Sequence, residues 1–165
     1  MITRAAKLLL LAAVGLFYAL VVFNNLTDFD SNYQFVRHVL SMDSTFPGNH
    51  GMWRALPSPA FHLAFYLGII AWEIVTTLLL GWGVVAMSRA LRLPATAFNA
   101  AKRVAIMALT LSLIMWLVAF LSIGAEWFLM WQSRTWNGQE AAFRMFAVVG
   151  LVLLILMQPD SDVQQ

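Results

Sequence analysis

Glu73 stands in the middle of "LGIIAWEIVTTLLLGW", residues 67 to 82, as the one acid in a run that is otherwise apolar or hydroxyl-bearing. Laid out at 100° per residue with His62 as zero, Tyr66 falls at about 40°, Glu73 at about 20°, Thr76 at about −40° and Thr77 at about 60°. His62, Tyr66, Glu73, Thr76 and Thr77 therefore make one polar stripe, and Ala64, Leu67, Ala71, Ile74, Val75, Leu78, Trp82 and Val85 make the opposite, lipid-facing side. Counted from the helix start, Glu73 falls near the bilayer centre. An ionised carboxylate there costs at least ~2.5–3.5 kcal/mol on insertion scales, so something must offset it. Protonation is one solution, letting a neutral acid donate to a group on a neighbouring helix, with Thr77 one turn away as a candidate partner. Pairing with Arg144 is the other, but Arg144 lies near the outer end of its helix and would snorkel upward. Glu126 is better matched in depth, so the expected ion pair is Glu126 with Arg144, which leaves Glu73 protonated or bound to a ligand. Glu73 is then either a proton or cation site or a hydrogen-bonded bridge between helices, the bridge being worth about 0.6–2 kcal/mol.

The other chemistry-bearing residues are weaker candidates. The chain has no cysteine, which removes thiolate metal sites and thiol redox chemistry. Its three histidines, His38, His50 and His62, all fall on one side, so paired axial haem ligands inside a bundle are missing. His38, His50 and Asp43 could at most make a surface metal site, and solvated polar residues are the favoured reading. Asp28, Asp30 and Asn32 imitate the opening of a calcium loop, but Tyr33 stands where the turn glycine belongs and Val39 where the bidentate acid belongs. Asn25-Leu26-Thr27 is a sequon in form and is read as turn chemistry beside the membrane. No nucleophile with a poised base and oxyanion donors is recognisable, so neither catalysis nor a cofactor or metal is expected.

What must position these residues is a set of membrane helices. The chain is 61% hydrophobic and 11% charged, against roughly 45–50% and about 25% for soluble proteins. Four runs reach the roughly 20 apolar residues that a span needs: 5–23, 61–87, 104–126 and 141–157. The first, behind "MITRAAK", reads as an uncleaved signal anchor. The expected fold is an all-α four-helix membrane bundle in a single domain, 1–165. Segment 24–60 is too long for a bare connector. Within it Ser31 and Gln34 fit a capping box, and Phe35, Val36, Val39 and Leu40 recur at helical spacing. An amphipathic helix over about 31–42 should therefore cap the bundle.

Orientation follows from the flanking cations. Arg4, Lys7, Arg89, Arg92, Lys102 and Arg103 gather on one side without an acid in the N-terminus or the 88–103 loop, which makes that side and both termini cytoplasmic. The other side carries Asn24, Asn25, Asp28, Asp30, Asn32, Arg37, His38, Asp43, Trp53 and Arg54, a surface fit for a partner. A formal charge of +2 with dispersed basic residues gives no footprint for nucleic acid.

The segments "NNLTD", "SNYQFVRHVLSMD", "WRALPSPAFHLAFY" and "IIAWE" resemble a bacterial family of predicted small four-helix integral membrane proteins of unknown function. The resemblance implies a bacterial inner membrane and brings no activity. Three functions stay open. They are a non-enzymatic accessory or assembly subunit of a larger envelope complex or homo-oligomer, a small proton- or cation-coupled transporter or channel using Glu73, and a lipid-accessible quinone-binding or enzymatic module.

Overall fold

The structure is a computed structural model describing residues 1–162, all-α with no strand among them. Its six α-helices are α1 (Ile2–Thr27), α2 (Phe29–Ser41), α3 (Pro59–Ala90), α4 (Ala95–Ala101), α5 (Arg103–Ile114) and α6 (Gln139–Met157). α5 continues without a break as a π-helical segment, Met115–Trp127. Four helical runs are long and apolar enough to cross a membrane: Ile2–Thr27, Pro59–Ala90, Ala95–Trp127 and Gln139–Met157.

α1 runs four residues past the end of its apolar stretch, because "NNLT" contains neither Gly nor Pro to stop it. Thr27 Oγ1 bonds back to the carbonyl of Phe23 at 2.8 Å, and the Asp28 amide to that of Asn24 at 2.8 Å. The sequon is thus helix, not turn. Asp28 alone separates α1 from α2, which starts two residues before the expected Ser31. The Ser31–Gln34 capping box does not form. Gln34 Nε2 instead donates to Asp30 Oδ1 at 3.1 Å and Gln34 Oε1 accepts from Arg37 at 3.0 Å, a local ladder along the exposed face.

The apolar stripe of α2 is buried at Val36, Val39 and Leu40, with Phe35 half-buried. These residues pack on Tyr66 and Ile70 of α3 and on Ala125, Phe128 and Met130 to form a smaller core under the cap. A larger core fills the rest of the bundle, drawn from Leu11, Val14 and Tyr18 of α1, Leu80 and Met87 of α3, Leu109 of α5 and Val149 and Leu156 of α6. Apolar α3 residues Leu67, Val75, Leu78, Trp82 and Val85 face outward, as lipid-facing positions should.

Two features set the helix positions. A Cβ on Gly83 would lie 2.9 Å from Ala105 Cβ and 3.0 Å from its Cα, so α3 and α5 approach at a distance only glycine permits. In the π segment the bonds run i to i+5, as in Phe128 N to the Ile123 carbonyl at 3.0 Å. The wider winding means that side-chain directions beyond Met115 do not follow the 100° rule.

At the end where α1 begins and α6 ends, residues 158–162 fold back under the bundle. Asp160 pairs with Lys7 at 2.7 Å and with Lys102, and Asp162 pairs with Arg4 at 3.1 Å. Both lysines also donate to the Gln158 carbonyl. Half of the six cations on that face are therefore buried partners of two acids in "QPDSD", a role their type alone did not announce.

Candidate functional site under the cap

Four of the five stripe residues turn inward: His62, Tyr66, Glu73 and Thr76 are each no more than 3% exposed. Thr77 is half-buried, and its hydroxyl donates to the backbone carbonyl of Glu73 at 2.7 Å, not to the carboxyl. The carboxyl's partner is Asn25 on α1, whose Nδ2 donates to Glu73 Oε2 at 2.6 Å. Asn25 Oδ1 in turn accepts from Asn32 Nδ2 of α2 at 2.7 Å and from the Tyr66 hydroxyl at 3.3 Å. One asparagine thus joins α1, the cap helix and α3. Glu73 Oε1 has no hydrogen bond among the described residues.

Glu73, Asn25, Asn32 and Tyr66 line one side of a cavity of about 320 Å³, whose other walls include Phe35, Trp116 and Phe120. The i, i+4 pair Trp116 and Phe120 shares one face of the π segment, with ring centroids 4.9 Å apart. Gly138 and Ala142 at the start of α6 complete the wall, and the exposed Asn24 stands at the rim. A second, wholly apolar cavity of about 90 Å³ lies beyond Phe35, Ile69 and Phe120 toward Met130. The two share these walls.

The site stands well away from the Lys7–Asp160 layer at the other end of the bundle. At 1.5 Å per residue, Asn25 lies ~27 Å along α1 from Lys7, close to the ~30 Å of a hydrocarbon core.

The remaining candidates divide. His62 belongs to the cap's seam: Nε2 lies 2.5 Å from the Leu56 carbonyl, and the Leu56 amide donates to the Leu40 carbonyl at 2.8 Å. His38 lies 2.7 Å from Asp43 and stacks on Trp136 at 4.5 Å between centroids, while His50 is exposed. No three His, Asp or Glu among the described residues come together as a metal site. Asp28 caps α2 through its backbone position, without a side-chain bond.

The expected Glu126–Arg144 ion pair is absent among the described residues; both side chains are exposed. Matched depth did not bring them together, since the π winding sets where Glu126 projects. The carbonyls of Glu126 and Trp127 are met instead by Arg54, at 3.4 and 3.0 Å, with its guanidinium between the Trp53 and Trp127 rings.

Sequence reasoning missed Asn25 as the carboxyl's partner, and the only signal was that "NNLT" lacks a helix stop. It also missed Asp160, whose signal was the acid pair of "QPDSD" beside a face read as purely cationic.

A bundle of four apolar helices with a polar knot under a helical cap defines a small multi-pass integral membrane protein. The chain belongs to the family described as "Predicted small integral membrane protein (DUF2165)", whose model matches residues 3–159. No curated protein and no solved structure matches it.

Proposed function

We propose that this protein is a non-enzymatic ligand-binding membrane protein, with Glu73 as the group that meets the ligand. The observation that carries this reading is the divided state of the carboxyl. Oε2 is held by Asn25 while Oε1 is left without a partner on the wall of a cavity of about 320 Å³. Unlike the neighbouring Thr76 Oγ1 and Trp116 Nε1, which are buried without a partner, Oε1 is open to the cavity and within reach of a ligand. The chain is read as lying in a bacterial inner membrane with both termini in the cytoplasm, so the cavity is on the outer side.

The test is access. Dicyclohexylcarbodiimide reaches carboxyls from the apolar phase, and it should modify the wild-type protein at Glu73, with the adduct absent from Glu73→Gln. Mass spectrometry that finds Glu73 unmodified in folded protein after saturating treatment overturns the reading.

A role as an accessory subunit has one observation in its favour. Phe46, Trp53, Trp127 and Trp131 are all exposed on the outer face, around the partly buried Arg54. Such a cluster suits either headgroups or a protein partner. Copurification from native membranes distinguishes them: a stoichiometric partner lost on Trp53→Ala supports the subunit role, and a chain that purifies alone removes it.

A further inference from the structure

Resting on the ligand-site reading above, we infer that the Glu73 cavity takes an ammonium group, carried by a small organic amine or by a lipid headgroup.

The first argument is charge. The ion pairs among the described residues are Arg4–Asp162, Lys7–Asp160, Lys102–Asp160 and His38–Asp43. None involves Glu73, so the chain brings an acid to this cavity and no counter-charge. An anionic ligand would meet a carboxyl with nothing to neutralise it. A neutral apolar ligand would leave Oε1 unpaired and is better matched to the neighbouring apolar cavity by Met130.

The second argument is the wall. Phe35, Tyr66, Trp116 and Phe120 surround the space beside Glu73. Aromatic faces are negative, and a cation held over one out of water is attracted to it. A carboxyl with several rings around one volume is the chemistry that holds a quaternary or protonated amine. The third is position: Asn25 lies ~27 Å along α1 from Lys7, so with Lys7 read at one membrane boundary the site falls level with the other, and the exposed Asn24 at its rim puts it within reach of both a soluble amine and a headgroup.

The experiment uses the full chain. Isothermal titration of detergent-purified protein with benzyltrimethylammonium should give saturable binding, and titration with the neutral benzyl alcohol should not. Glu73→Gln should weaken binding at least tenfold. Phe120→Leu, which keeps an apolar side chain but removes a ring, should weaken it several-fold and serves if Glu73→Gln fails to fold. Occupancy should also slow carbodiimide modification of Glu73. Modification that proceeds unchanged with saturating benzyltrimethylammonium, together with no saturable binding, overturns the ammonium assignment and leaves the ligand-site reading standing. No modification at all overturns both.

Nanodiscs separate the two sources. Slowed modification in phosphatidylcholine discs relative to phosphatidylglycerol discs supports a lipid headgroup. Slowing in phosphatidylglycerol discs only when benzyltrimethylammonium is added supports a soluble amine. Slowing in neither case overturns the inference.

Discussion

Asn25 and Asp160 each do in one side chain what several could not do separately. Asn25 donates to Glu73 and accepts from Asn32 and Tyr66, so its amide on α1 satisfies groups on two other helices, α2 and α3. Asp160, at the opposite end, holds two lysines that are almost fully buried. Burial by itself would raise the Asp160 carboxyl, but the ammonium groups of Lys102 and Lys7 outweigh it and hold it below the ordinary carboxylate range. A carboxyl whose folded-state value is depressed contributes stability that is complete above its unfolded value of about 3.9 and is lost as pH falls through the folded one. Asp160→Asn should therefore destabilise the protein by ~3–5 kcal/mol at pH 7, the usual cost of leaving buried charges unpaired. The gap from wild type should close below the folded-state value. Thermal melts in detergent across pH 2.5 to 7 measure this; identical melts at pH 7 would show that the clamp contributes nothing.

At the scale of elements, the helix pair α3 and α5 is set by size and the π segment by winding. Gly83 against Ala105 is a contact in which any side chain meets backbone as well as Cβ, so the neighbour cannot simply rotate away. Gly83→Val should force the helices apart and cost about 1–3 kcal/mol, whereas the same change at Gly81, where a Cβ meets nothing within 4 Å, should be nearly neutral. A comparison of the two variants by thermal melting decides the point; equal losses would mean that helix propensity, not the crossing, governs the cost. The cap helix is legible from sequence because its stripe repeats every three to four residues. Its start was misplaced because "SNYQ" offered a capping box that the chain had no need of, Phe29 already being helical after Asp28.

For the whole molecule, the two ends differ in kind. One end is laced by the tail through Arg4, Lys7 and Lys102, and the other is closed by α2 and by bonds such as Ser44 to Ser133 at 2.9 Å and the Phe46 amide to Gln132 at 3.0 Å. With the cation-rich end in the cytoplasm, reporter fusions after Gln165 and within residues 88–103 should report cytoplasm, and fusions near Asn49 should report the outside. The reverse pattern would put the Glu73 cavity on the inner side. Run length and composition by themselves determined the membrane class, the four spans and the amphipathic cap, because each depends on a period read within one segment. The inward direction of His62, Tyr66, Glu73 and Thr76 follows from the same local geometry. Which residue meets Glu73 and where the buried lysines find their acid were decided only by tertiary structure. Those contacts join residues 48 and 153 positions apart, and they depend on the relative height and rotation of separate helices, quantities to which no single helix's periodicity refers.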